Sequence, residues 1–250
     1  MKKGFHYALL TAAILTLASC STTKYVPDGS YLLDEVRIHT DNKNVKPSNL
    51  SIYVRQNPNS KWFSLIKTQL YVYNWSGRDS TRWVNRALRR LGDAPVIYSK
   101  EETERSREEM TKAVQNMGYM GATVEYIPKI KKKKVKLAYK VNTGEPYIVR
   151  SLKYDVQDEK IWEYMQKDSA STYLSEGMYF NANILDSERQ RITGNLLRNG
   201  YYKFNKDYIS YTADTVRGTY QVDLTLHLAR YRQHSGAELQ DHPQYTINKV

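Results

Sequence analysis

The sequence predicts an α+β protein built from tandem copies of one small module, each a three-stranded mixed sheet packed on two helices. Two observations predict this class. An amphipathic helix that ends in Gly-Tyr and leads into two alternating strands occurs twice, with its turns at Gly118-Tyr119 and Gly200-Tyr201. Each copy is also preceded by a further strand and helix. A repeat of this size indicates an array of modules and not a catalytic motif.

Length and composition limit the classes of function. The 250 residues are enough for one large domain or for two domains of about 100 residues each. Lysine and arginine total 38 against 26 acidic residues, and the resulting charge of +12 is well mixed along the chain. The 22 tyrosines are too many aromatic residues for a disordered chain. They favour half-exposed sheet faces and contact surfaces, because a phenol combines apolar area with a hydrogen-bonding tip.

The N-terminus predicts export and lipidation. Two lysines precede an apolar run over residues 7–17, which is too short to span a bilayer and is typical of a signal peptide over residues 1–19. The sequence Leu-Ala-Ser-Cys resembles the bacterial lipobox. That resemblance implies cleavage between Ser19 and Cys20, with a diacylglycerol and an acyl chain carried covalently on Cys20. An ordinary secreted protein with a free cysteine is the alternative. Cys20 is the single cysteine, so no disulfide is expected.

Residues 20–29 form a short polar tether that ends in turn residues. Such a tether spans at most ~30 Å, so we expect the first module to lie close to the membrane. The resemblance to bacterial lipoproteins implies that Ser21, directly after the lipidated cysteine, lets the protein proceed to the outer membrane.

The first predicted strand begins at Tyr31, and its Tyr-x-aliphatic pattern returns at Tyr147 and Tyr245. The predicted boundaries are 30–144 for the first domain, 145–231 for the second, and 232–250 for a linker and the first strand of an incomplete third domain. A strand without a partner would leave an edge open to aggregation. We therefore expect the sequence to be the front part of a longer protein or a truncated gene product.

Residues 45–98 read as a helical insertion in the first domain. A helix is predicted to start at Pro47, and a later one to be capped by Asp79 or Ser80 and to end at Gly92. Helix and strand cannot be told apart between Trp62 and Trp75.

The aromatic residues of the insertion allow two interpretations. Trp62, Phe63 and Trp75 form either a partner surface or the cover of the insertion's own small core, and the second interpretation is favoured.

The helix of the first repeat begins with a capping-box pattern, Ser99-Lys-Glu-Glu102. A glycine ends this helix and its counterpart, since Gly118 and Gly200 can adopt the left-handed conformation. One buried helix face and one buried strand face are predicted for the first repeat from these apolar positions: Met110, Ala113, Val114 and Met117, then Val135, Leu137, Tyr139 and Val141.

This order of strand, helix, capped helix, Gly-Tyr and hairpin resembles the POTRA (polypeptide-transport-associated) domain. The join from Val141 to Tyr147 also resembles a boundary between successive POTRA domains. The resemblance implies a periplasmic array such as those that precede the barrel in the BamA/TamA superfamily, and the start at Cys20 is similar to the lipoprotein branch of that group. Two departures stand out: the insertion over 45–98 is long, and no series of barrel strands follows.

The resemblance implies recognition without catalysis. We expect a lipid-anchored, periplasm-facing protein of the outer membrane. Its partners would be unfolded or extended outer-membrane protein segments and envelope assembly proteins, which add as strands to an open sheet edge. The chain would be the leading part of a barrel protein. The alternative is a self-contained lipoprotein scaffold of an envelope complex that has no barrel.

The sequence contains only weak patterns for a catalytic, metal or cofactor site. The sequence predicts no enzyme, no metal site and no cofactor other than the lipid on Cys20, and the export signal disfavours nucleic acid. His234 and His242 lie in the linker without a cysteine or an i, i+4 partner. The run Lys131–Lys134 either touches anionic headgroups or keeps a hairpin turn soluble and guards a sheet edge, and the second reading is favoured.

Overall fold

The computed structural model describes residues 22–62 and 66–246. The predicted signal peptide, with Ser19 and Cys20, lies outside the described residues, as do Phe63 and the last four residues of the predicted third-domain strand. The chain divides into two compact units. The first contains the described residues up to Thr111 together with Thr123–Asn142, and the second contains Lys112–Ala122 together with the residues from Thr143 onward.

The first unit is built on a three-stranded mixed sheet. Its strands are β1 (Leu32–Thr40), β2 (Thr123–Lys131) and β3 (Lys134–Asn142), in the order β1-β3-β2. β1 runs parallel to β3, whereas β2 and β3 form an antiparallel hairpin. A parallel pair needs a long crossover, and the helices between β1 and β2 supply it. The four alternating apolar residues predicted for β3 are all buried: Val135, Leu137, Tyr139 and Val141.

Among the described residues, four α-helices lie between β1 and β2. They are α1 (Pro47–Leu50, extended by a 3-10 turn over Ser51–Tyr53), α2 (Thr68–Trp75), α3 (Trp83–Leu91) and α4 (Lys100–Asn116). The segment that sequence alone left undecided is therefore helical in α2. Trp62 is 64% exposed and Trp75 is 50% exposed. The favoured interpretation, that these two side chains cover the insertion's own core, is wrong.

The predicted start of α3 is also wrong. Asp79 and Ser80 do not cap this helix, because it begins later and its N-cap residue is Arg82, which makes no side-chain capping bond. The Asp79 carboxylate instead accepts hydrogen bonds from the Thr81 N–H and hydroxyl, at 2.9 and 2.6 Å.

Only half of the predicted capping box forms at the start of α4. The Ser99 hydroxyl accepts a hydrogen bond from the Glu102 N–H at 3.3 Å. The Ser99 N–H, which Glu102 would satisfy in a complete box, donates to the Gln56 side chain at 2.9 Å. The insertion thus takes over the second half of the cap.

The second unit repeats the same sheet with a simpler crossover. Its elements are β4 (Ile148–Val156), α5 (Glu159–Lys167), α6 (Ala182–Arg198), β5 (Ile209–Thr215) and β6 (Gln221–Leu228). The strand order is β4-β6-β5, with β4 parallel and β5 antiparallel to β6. Apolar side chains of α5, α6 and the sheet form one core, including Ile161, Ile192, Leu196, Val222, Leu224 and Leu226.

A shared irregularity allows the two sheets to be matched residue by residue. In β1 the register with β3 shifts between Leu33 and Glu35, and in β4 the register with β6 shifts between Val149 and Ser151. Leu33 pairs with Val135, and Val149 pairs with Val222. Val135 and Val222 are therefore equivalent positions, and the rest of each hairpin can be aligned from them.

Candidate functional site

The first strand of each sheet is partly covered along its outer edge. In the first unit the Leu33 N–H donates to the Val96 carbonyl at 2.8 Å. In the second unit the Val149 N–H donates to the Met178 carbonyl at 2.9 Å. In both cases the segment leading into the long helix satisfies the edge, which leaves β2 and β5 as the open edges among the described strands.

The hydrogen-bond alternation decides which backbone groups of each open edge face outward. Lys131 and Lys134 flank a two-residue turn and pair with each other, so the odd-numbered residues of β2 bond to β3 and the even-numbered ones face away. In β5 the Val216 N–H donates to the Gln221 carbonyl at 2.9 Å. The even-numbered residues of β5 therefore bond to β6, and the odd-numbered ones face away. The outward-facing groups of β5 are those of Tyr211, Ala213 and Thr215.

The two open edges differ in a position that the register makes equivalent. Pro128 of β2 pairs with Leu137, and Ala213 of β5 pairs with Leu224, which is the counterpart of Leu137. Pro128 sits at an outward-facing position and removes a donor there without breaking the ladder to β3. Proline and lysine are the residues that proteins use to block an edge, and β2 carries both. β5 contains neither.

β5 is fixed to the core at one end and exposed at the other. Ile209 is buried, and the Tyr211 hydroxyl donates to the Leu185 carbonyl of α6 at 3.2 Å. Burial raises the pKa of the Tyr211 phenol well above its usual value, so the phenol stays a neutral donor. The residues from Thr212 to Thr215 are exposed. A rigid scaffold thus holds an open strand of four solvent-exposed residues.

The charge beside this edge is set by an ion pair across the sheet. Asp214 of β5 lies directly opposite Asp223 of β6. The Arg150 guanidinium pairs with Asp223, and Ser151 Oγ donates to the same carboxylate at 2.6 Å. These contacts lower the pKa of Asp223 to about 2. Among the described residues no cation forms an ion pair with Asp214, which therefore leaves a negative charge on the open strand.

Both predicted Gly-Tyr turns lie in left-handed glycine conformations. The φ of Gly118 is +100° and that of Gly200 is +91°. The Gly118 carbonyl accepts the Tyr147 N–H at 2.9 Å, and the Gly200 carbonyl accepts the Tyr245 N–H at 2.8 Å. Sequence reasoning assigned these glycines only to ending a helix and missed this docking. The recurring Tyr-x-aliphatic pattern at both tyrosines was the available signal.

The tyrosines of these turns are structural. Tyr119 and Tyr201 are both buried. Burial raises the pKa of Tyr201 to about 12, helped by the nearby negative charge of Asp158.

The linker histidine His242 is part of the second core. Its ring lies between Phe204 and Tyr208, with centroid distances of 4.8 and 4.6 Å. Its Nε2 lies 2.9 Å from the Ala229 carbonyl, and its backbone N–H donates to Asp158 at 2.8 Å. Within residues 22–62 and 66–246 no cluster of three histidine, cysteine or acidic side chains is arranged to hold a metal ion.

A search of these same ranges for membrane-spanning helices finds none that combines the required length and apolar character.

Comparison with known proteins gives one family match and several similar structures. Residues 31–144 match the POTRA family, described as surface antigen variable number repeat. BamA from Haemophilus ducreyi lacking POTRA domains 1–3 is 18% identical, with a TM-score of 0.39, over 79% of this chain and 29% of that one. This chain therefore spans less than a third of that protein's length.

Two shorter solved structures are covered almost completely. Haemophilus influenzae BamA POTRA3-5 is 14% identical over 82% of this chain and 99% of its own, with a TM-score of 0.33. POTRA1-2 of the periplasmic domain of Omp85 from Anabaena is 13% identical over 81% and 98%, with a TM-score of 0.34. No curated protein matches this chain.

Proposed function

We propose that this chain, whose residues 31–144 match the POTRA family, is a polypeptide-binding module in outer-membrane protein assembly or translocation. The observation that carries the proposal is the open edge of β5, whose outward-facing groups lie at Tyr211, Ala213 and Thr215. An extended client segment adds there as a fourth strand. Main-chain hydrogen bonds supply the affinity, and alternate side chains supply selectivity. No catalytic step is part of this function.

The size of the edge predicts weak, transient binding. Three outward-facing residues offer up to about six main-chain hydrogen bonds, each contributing about 1 kcal/mol net. Association and the ordering of an extended client cost a comparable amount. Rapid release suits a module that passes clients on. The unpaired charge of Asp214 favours clients with a basic or neutral residue at the facing position.

The register match supplies a reciprocal test. Ala213→Pro copies the proline of the first sheet into the second, and Pro128→Ala restores a donor in the first sheet. The probe is a ten-residue peptide with the alternating pattern of a barrel strand. Binding is followed in the full chain by amide chemical shifts. We expect Ala213→Pro to weaken binding at β5 about tenfold, and Pro128→Ala to create binding at β2.

Ala213→Ser is the matched control, because it changes the side chain and keeps the N–H. Unchanged affinity in Ala213→Pro, or shifts that never involve β5, would overturn strand addition at this edge. The proline variant should fold, since the equivalent position of the first sheet already holds Pro128.

We also propose that Cys20 carries the lipid anchor and that the chain faces the periplasm from the outer membrane. Support comes from the lipobox-like sequence before Cys20 and from the export signal. Mass spectrometry of the membrane-extracted protein tests this. The expected N-terminal peptide begins at an acylated Cys20, and the Cys20→Ala variant should lack the modification. An unmodified Cys20 in the wild type would refute the anchor.

A further inference from the structure

A cleft of about 580 Å³ opens beside the hairpin that joins β2 and β3 in the first unit. The hairpin contributes a dense set of cations to its wall. These are Lys129, Lys131, Lys132, Lys133, Lys134 and Lys136. Thr22 and Thr23 line the same cleft, and Asp34 is the only carboxylate among the residues that line it. The cleft is therefore strongly cationic.

The nearby carboxylates neutralise only part of this charge. Asp34 is occupied by Lys67, whose ammonium lies 3.0 Å from its carboxylate and 2.7 Å from its backbone carbonyl. Lys133 pairs with Asp28 at 2.7 Å, and Lys136 pairs with Glu35 at 3.3 Å. The remaining four cleft lysines form no ion pair with any carboxylate in the described part of the chain. These are Lys129, Lys131, Lys132 and Lys134.

The fold itself does not require this crowding. Lys129 lies opposite Lys136, and Lys131 lies opposite Lys134, and like charges in such cross-strand pairs are destabilising. The equivalent positions of the second hairpin hold no lysine. They are Asp214 opposite Asp223, and Val216 opposite Gln221. The fold of such a hairpin therefore does not need lysines at these positions. Besides guarding the edge of β2, they leave an unneutralised cationic surface that an anion can occupy.

The position of the cleft on the chain favours a ligand at the membrane surface. Thr22 follows Cys20 by two residues, a separation of at most ~7 Å. A lipid on Cys20 therefore holds the cleft at the level of the headgroups. We propose that the lysine cleft binds the phosphate of an anionic phospholipid in the leaflet that holds the anchor. Ammonium groups donate charge-assisted hydrogen bonds to phosphate oxygens. This inference rests on the proposed lipidation of Cys20.

The test measures partition of the full chain onto vesicles. All proteins carry Cys20→Ala, so that the covalent lipid does not dominate binding. The cleft variant combines Lys131→Gln, Lys132→Gln and Lys134→Gln. The matched control removes the same charge from exposed lysines of the first unit that lie outside the cleft, by Lys43→Gln, Lys46→Gln and Lys140→Gln. Vesicles are phosphatidylcholine with or without phosphatidylglycerol.

Each lysine close to an anionic surface strengthens binding about fivefold. The cleft variant should therefore bind phosphatidylglycerol vesicles roughly 100-fold more weakly than its parent, and the control variant only a few-fold more weakly. Binding to pure phosphatidylcholine should be equal for all three proteins. The difference should shrink as ionic strength rises.

Two results would overturn the inference. Equal losses in the cleft and control variants would reduce the effect to overall charge. Competition by inorganic phosphate as effective as that by phosphatidylglycerol vesicles would identify a site for free phosphate instead. Peptide binding at β5, measured in the same variants, is expected to stay unchanged. Failure of the cleft and failure of the strand-binding function are therefore distinguishable.

Discussion

Replacement of Gly200 by alanine tests whether the turn after α6 fixes the chain segment that follows the second sheet. Two effects are expected from the geometry. The φ of +91° is unfavourable for any residue with a Cβ, at a cost of about 1–2 kcal/mol. A Cβ on Gly200 would also lie 2.5 Å from the Tyr245 carbonyl oxygen, closer than real Cβ contacts. The segment at Tyr245 must then move away.

The movement has a cost of its own. It breaks the 2.8 Å hydrogen bond from the Tyr245 N–H to the Gly200 carbonyl, which contributes about 1 kcal/mol. The free energy of unfolding of the second unit should therefore fall by about 2–3 kcal/mol in Gly200→Ala. Urea unfolding of the full chain measures this quantity, and native-state hydrogen exchange should show lost protection of the Tyr245 amide.

Gly177→Ala is the matched control. Gly177 lies in the same unit with a φ of +83°, but an added Cβ would meet no atom within 4 Å. This variant should show the conformational cost alone, about 1–2 kcal/mol, with the Tyr245 amide still protected. Equal destabilisation by the two substitutions, or full protection of Tyr245 in Gly200→Ala, would refute the docking role of the turn.

Two further predictions concern titratable groups of the second unit. Burial alone would raise the pKa of the Glu188 carboxyl, but hydrogen bonds from Arg191, the Tyr173 N–H and Thr172 leave its pKa lowered. Its stabilising contribution is therefore present above pH 4.5 and is lost as the pH falls below it. Glu188→Gln should lower the free energy of unfolding by about 3 kcal/mol at pH 7. Urea unfolding at a series of pH values should then show a smaller loss of stability below pH 4.5 than in the wild type. Desolvation lowers the pKa of His242, and the Ala229 carbonyl, Asp158 and Asp241 oppose it only partly. The free energy of unfolding should therefore decrease as the pH falls below about 6.5. In His242→Gln the melting temperature should no longer show this decrease between about pH 5 and 6.5.

Local pattern predicted the repeated elements of this fold well. Alternation in 135–141 identified the buried face of β3, since a period of two is a strong local signal. The α2 helix was left undecided because its aromatic residues show no clear period. The exposure of Trp62 and Trp75 depends on which elements cover them, and that is a property of the tertiary structure.

The candidate binding edge was only partly visible in the sequence. Which strand is open depends on the order β4-β6-β5, which no local pattern contains. Pro128 by itself indicates a blocked edge in the sequence. Its equivalence to Ala213 can be recognised only from the register of the strands in the two sheets. Glu188 reads as an exposed helix residue, yet it is 1% exposed because Thr172 and Arg191 come together around it.

The residue-by-residue match between the two hairpins has a consequence for how such arrays diversify. The backbone register is the same in both sheets, while Lys129 and Lys136 in one correspond to Asp214 and Asp223 in the other. After a duplication, substitutions at these positions invert the sign of the surface charge without any change to the buried core beneath them. A β2–β3 or β5–β6 hairpin moved into the other sheet would carry its own surface charge with it.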